Sequence, residues 1–104
     1  MSLSATDKEQ IKKDLVDQLK DEPEVRKVVL FGSFVSNPDP HDLDVAVFQD
    51  SDERYLPLAM KYRRLTRSIA RRIPMDILPF QANVPGGWFL REEVLRGEVI
   101  YERQ

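Results

Sequence analysis

The chain has 104 residues and no cysteine, and its 16 basic and 18 acidic residues leave a net charge of −2. That balance argues against bulk electrostatic attraction to nucleic acid, and the missing cysteine excludes disulfides and thiolate metal sites. A hydrophobic share of 41% suits one core and hence a single domain over residues 1–104, while no apolar run nears the roughly 20 residues needed to span a bilayer.

The start, "MSLSATDKEQ", has neither the basic nor the apolar region of a signal peptide, so a cytoplasmic protein is expected. From about Ser4 to Asp21, Ile11, Leu15, Val16 and Leu19 recur at helical spacing. Ser4 with Asp7, or Thr6 with Glu9, supplies a capping box, and Pro23 helps to stop the helix. Val25 to Phe31, "VRKVVLF", is rich in β-branched residues and reads as a strand, and Leu43 to Phe48, "LDVAVF", as a second. A long helix is predicted around Ser51 to Arg72, with Tyr55, Leu58, Tyr62, Leu65 and Ile69 along its buried stripe. "MDILPF", Met75 to Phe80, is a third short strand, closed by Pro79. "NVPGG" is a loop, Trp88 to Arg96 suits a short helix stopped by Gly97, and "EVIYE" makes a last strand. The order predicts an α/β (α+β) fold, a small mixed sheet with helices packed mainly on one face.

Two aspartates open the second strand. Side chains alternate along a strand, so Asp42 and Asp44 project from one face while Leu43, Val45 and Val47 project into the core. Two carboxylates this close repel unless a cation lies between them, and the fitting cation is a hard one with oxygen ligands, such as Mg²⁺. Gly32-Ser33 falls where the first strand ends. Glycine lets the backbone approach a ligand closely, and free N–H groups with a serine hydroxyl suit a phosphate. Asp76 is the only acid in the third strand and can join the other two, as ligand and as proton acceptor. Two metal ions about 3.5–4 Å apart suit in-line nucleotidyl transfer.

Gly32-Ser33, then Asp42-x-Asp44 on the next strand, then a lone Asp76 after a long helix, together resemble the minimal nucleotidyltransferases of the DNA polymerase β-like superfamily. The resemblance runs from about Val28 to Tyr101, and the ending "FLREEVLRGEVIYE" is similar too. It implies a transferase that binds ATP with Mg²⁺, moves AMP to a hydroxyl, and serves as the antitoxin of a toxin–antitoxin pair whose partner is an all-helical HEPN protein. By that likeness Asp42, Asp44 and Asp76 are catalytic and metal-binding, and Gly32 and Ser33 bind the nucleotide. The family pattern G-S-x-A-R-G is incomplete here, because Ser36 and Asn37 replace its arginine and second glycine. That departure motivates the alternative of a binding antitoxin that masks its partner by contact, with little or no catalysis.

Other residues have blander readings. His41 is expected in a solvated loop. Arg63, Arg64, Arg67, Arg71 and Arg72 read as a solvated helix face or as a partner surface. Trp88 and Phe89 are expected as core or interface anchors. A nucleic-acid polymerase is not expected of so short a chain, and neither a membrane nor nucleic acid is an expected partner.

Overall fold

In the computed structural model, residues 4–37, 40–82 and 96–103 are described. Helix α1, Ala5–Leu19, opens with the capping box: Asp7 N–H donates to Ser4 Oγ and Ser4 N–H to Asp7 Oδ2, both at 3.1 Å. Ile11, Leu15 and Leu19 form its buried stripe. The carbonyls left over at its C-terminal end need donors. Arg103 meets the C-cap carbonyl, donating to Lys20 O at 2.6 Å, and also donates to Pro23 O at 2.9 Å in the turn that follows.

Strand β1, Val25–Phe31, runs into the single-turn helix α2, Ser33–Ser36, and then to β2, Leu43–Gln49. Helices α3, Tyr55–Leu65, and α4, Arg67–Ala70, lead to β3, Met75–Gln81; β4 is Glu98–Glu102. The sheet order is β3-β2-β1-β4, with β2 antiparallel to β1 and parallel to β3. The parallel pair requires a crossover, which α3 and α4 provide. Leu43, Val45 and Val47 of β2 join Ile11, Leu15, Leu58, Tyr62 and Ile69 in one buried cluster. The expected mixed sheet with helices is therefore present. The predicted helix over Trp88–Arg96 and the "NVPGG" loop lie, apart from Arg96, outside the described residues, as do Trp88 and Phe89.

Two local expectations are corrected. Strand β3 continues through Pro79 to Gln81, which an edge strand tolerates because the missing N–H need not face a neighbour. The long helix begins only at Tyr55 and breaks at Thr66, whose buried hydroxyl donates back to Tyr62 O at 2.7 Å. Tyr55, at the first position of α3, is 53% exposed rather than buried on the stripe.

A second polar knot ties α3 to the turn before β1. Tyr62, fully buried, donates its hydroxyl to Glu24 Oε2 at 2.9 Å, and Lys61 pairs with Glu22 at 2.7 Å and Glu24 at 2.9 Å. Burial pushes the Glu24 carboxyl up, but donors from Lys61, the backbone and Tyr62 outweigh it and hold the group below its ordinary 4.5. Burial and the Glu24 hydrogen bond both raise the Tyr62 phenol. Glu24→Ala should cost about 1–3 kcal/mol at neutral pH, by leaving Tyr62 O–H unsatisfied. Because the native carboxyl is depressed, its contribution is present above 4.5 and is lost as pH falls below it. The gap between wild type and variant in thermal melts should accordingly narrow on acidification.

Candidate active site

The end of β1 and the beginnings of β2 and β3 lie side by side. Phe31 pairs with Asp44, and Asp44 is the register partner of Asp76 in the parallel β2–β3 ladder. Register partners on neighbouring strands put their side chains on the same face, about 5 Å apart at Cβ. The face is confirmed four residues along, where Phe48 of β2 and Phe80 of β3 make a ring contact at 5.7 Å. Asp44 and Asp76 therefore share the face opposite Leu43, Val45 and Val47. Asp44 is half-buried, and Asp42 and Asp76 are exposed.

The turn after β1 closes on these carboxylates. Gly32 has φ 75° and ψ −152°, a region essentially reserved for glycine. A Cβ added there would collide with Asp44 Oδ2. Glycine thus serves the approach of this turn to the Asp44 carboxylate. The next residue reaches the other aspartate: Ser33 Oγ donates to Asp42 Oδ1 at 2.8 Å. Gly32 and Ser33, adjacent in the chain, are each set against one member of the Asp-x-Asp pair. The sequence reading treated the Ser33 hydroxyl as a phosphate-binding group and missed its carboxylate partner. The signal available was the short connection from residue 33 to residue 42, which an antiparallel β1–β2 pair must fold back.

Around α2, Ser36 Oγ donates to Gly32 O at 3.3 Å, and Lys8 of α1 donates to Asn37 O at 3.1 Å, with its ammonium 5.5 Å from the Phe34 ring centroid. His41 is exposed in the approach to β2.

The donor set suits a hard cation in kind, since all three candidate ligands are carboxylates. Among the described residues, no three His, Cys, Asp or Glu side chains are gathered closely enough to hold an ion as they stand. Asp44 and Asp76 start from neighbouring Cα positions on one face, the placement from which two carboxylates can share one hard cation.

Ser33→Ala tests the turn. The hydroxyl's carboxylate partner, Asp42, is exposed, so losing that hydrogen bond should lower the melting temperature only slightly. Nucleotide affinity should fall about tenfold to a hundredfold, the size of one hydrogen bond to a charged group. Unchanged affinity, read by calorimetric titration with ATP, assigns Ser33 to the turn alone.

Comparison with known families places this geometry. Residues 13–104 match the family profile described as "Polymerase beta, Nucleotidyltransferase". No curated protein sequence matches the chain significantly. Among solved structures, the chain is similar to one in the complex of the tri-AMPylated Shewanella oneidensis HEPN toxin with the MNT antitoxin. The TM-score is 0.66 at 19% identity, covering 93% of this chain and 74% of that one. It is also similar to a chain of the toxin–antitoxin MntA–HepT, with TM-score 0.59, 18% identity, and 92% and 74% of the two chains covered. At such identities the likeness is one of fold.

Proposed function

Because the chain belongs to the polymerase beta nucleotidyltransferase family, we propose that it transfers a nucleoside monophosphate, AMP from ATP, to a hydroxyl of a helical HEPN-type protein partner. In this reading it is the antitoxin of a toxin–antitoxin pair, acting in the cytoplasm as a single minimal domain. The observation that carries the proposal is the junction of three strands, where Asp44 is register partner to Asp76 and the Gly32–Ser33 turn closes on Asp44 and Asp42. The solved complexes with HEPN toxins support the partner class.

Asp42, Asp44 and Asp76 would hold two Mg²⁺ ions, whose charge would neutralise the phosphates and the developing pyrophosphate. Asp76, the more exposed of the register pair, accepts the proton of the attacking hydroxyl. The new bond joins the acceptor oxygen to the α-phosphorus, the bond from that phosphorus to the β-bridging oxygen breaks, and pyrophosphate leaves in line. Gly32 and Ser33 hold the β- and γ-phosphates: the glycine because only a residue without Cβ lets the backbone sit this close to Asp44, the serine through a hydroxyl that turns from Asp42 Oδ1 to the phosphate.

The contact-only antitoxin is the second reading, favoured by α2 itself. Where the family pattern has an arginine, Ser36 spends its hydroxyl on the Gly32 carbonyl. Titration separates the two. ATP binding that requires Mg²⁺ and disappears in Asp42→Asn supports transfer. No ATP binding, with tight partner binding retained, supports masking by contact.

A further inference from the structure

The chain's charge is unevenly arranged. Helix α1 alternates Lys8, Lys12 and Lys13 with Asp7, Glu9, Asp14 and Asp17, the pattern of a solvated face. The segment from Arg54 to Pro74 holds Arg54, Lys61, Arg63, Arg64, Arg67, Arg71 and Arg72 and no acid at all, in a chain of net charge −2. Two of these cations are used internally: Lys61 by Glu22 and Glu24, and Arg72 by Asp14 at 2.6 Å. Among the described residues, the side chains of Arg54, Arg63, Arg64, Arg67 and Arg71 make no ion pair or hydrogen bond.

The same face carries apolar side chains in water. Leu56 is 64% exposed and Met60 54%, and with Arg63 and Arg67 they recur at steps of four, three and four residues along one stripe. Leu58, Ala59 and Tyr62 face the core on the opposite side. A helix face meant only for solvent has no use for an exposed leucine and methionine one turn apart, nor for arginine in place of lysine. Methionine and arginine, with tyrosine such as the neighbouring Tyr55, are enriched at protein interfaces, and arginine pairs with carboxylates through its planar fork.

We infer that the exposed stripe of α3–α4 is the docking surface for the protein partner, and that the partner presents apolar side chains to its Leu56–Met60 end and carboxylates to its Arg63–Arg67 end. This rests on the reading above that the acceptor is a protein. The apolar end favours a protein over nucleic acid, and the unpaired guanidiniums fix the partner's charge as negative. α4 is followed by Pro74, whose carbonyl accepts Leu43 N–H at 2.9 Å, and then by Asp76, so the Arg67 end of the stripe lies toward the sheet end that bears the carboxylates. The stripe faces away from the sheet and the carboxylates project from its other face, so a partner docked on the stripe reaches round that end to present its hydroxyl.

The test measures binding of the HEPN-type protein encoded in the neighbouring reading frame to wild type, to Met60→Asp, and to the double variant Arg63→Glu, Arg67→Glu. All three side chains lie in solvent, so melting temperature and Mg²⁺-dependent ATP binding should stay at wild-type values. Partner affinity should fall at least about thirtyfold in each variant, the size of an interface hot spot. Wild-type association should slow as salt rises from about 50 to 300 mM. Variants that bind like wild type overturn the surface while leaving the partner reading intact. Failure of wild type to bind, or the lack of such a reading frame, overturns the partner reading itself. A single-stranded RNA 20-mer bound more tightly than the protein, or a wild-type dimer dissolved by the same changes, overturns the proposed occupant.

Discussion

Asp44→Asn will remove transferase activity together with the stability gained on adding Mg²⁺. Asp44 and Asp76 are register partners on adjacent strands, and like charges placed directly opposite destabilise a sheet by roughly 0.2–1 kcal/mol. Removing one charge relieves that repulsion. The same change removes a ligand from the proposed Mg²⁺ site. Groups that merely orient a metal ligand cost about 10–100-fold when lost, so loss of a ligand should exceed a hundredfold. The paired readouts are the initial rate of nucleotide transfer and the rise in melting temperature on adding Mg²⁺. Wild type should show both and Asp44→Asn neither. An Asp44→Asn protein that keeps its metal-dependent shift contradicts this assignment. Asp76→Asn should follow the same course, with the proton acceptor lost as well.

Gly32→Val should damage fold and site together. The backbone at Gly32 lies where a β-branched residue is strained by about 1–3 kcal/mol, and its Cβ would collide with Asp44 Oδ2. For a domain of this size, each kcal/mol moves the melting temperature by about 4–8 °C. A fall of roughly 4–24 °C is expected from the strain. At a temperature where the variant is still folded, activity should be lost as well, because the displaced Asp44 no longer faces Asp76. Gly32→Ala should show a smaller version of both. Normal stability in Gly32→Val would show that the turn does not press on Asp44.

Much of this architecture was legible because the signals were local. The β-branched run Val25–Phe31 became β1 with the bounds expected, Ser4 and Asp7 built their capping box, and "EVIYE" became β4. The shared face of Asp44 and Asp76 needed one inference beyond alternation, that β3 lies beside β2, and the parallel register supplies it. What was not legible depended on contacts between distant segments. The period of α3 marks Tyr55 as part of a stripe but does not say that the core stops short of the first turn. A serine after a strand suggests a phosphate site, and only the fold reveals Asp42 at 2.8 Å from its hydroxyl. The break at Thr66 came from a side-chain hydrogen bond to the preceding turn, which no hydrophobic period encodes. Among the described residues, no helix is long and apolar enough to cross a membrane, in keeping with the sequence.

The central claim is transfer to a protein acceptor, and intact-mass measurement tests it most directly. The protein is incubated with ATP, Mg²⁺ and the HEPN-type protein of the neighbouring reading frame, and both chains are weighed. The account predicts AMP-sized additions on the partner, none on this chain, and none on either when Asp42→Asn replaces wild type. This chain's own Tyr62 is buried, and Tyr55 begins the helix that follows the far end of β2, a strand's length from Asp44. A stable complex whose partner keeps its unmodified mass would contradict the transferase and leave a protein that acts by contact.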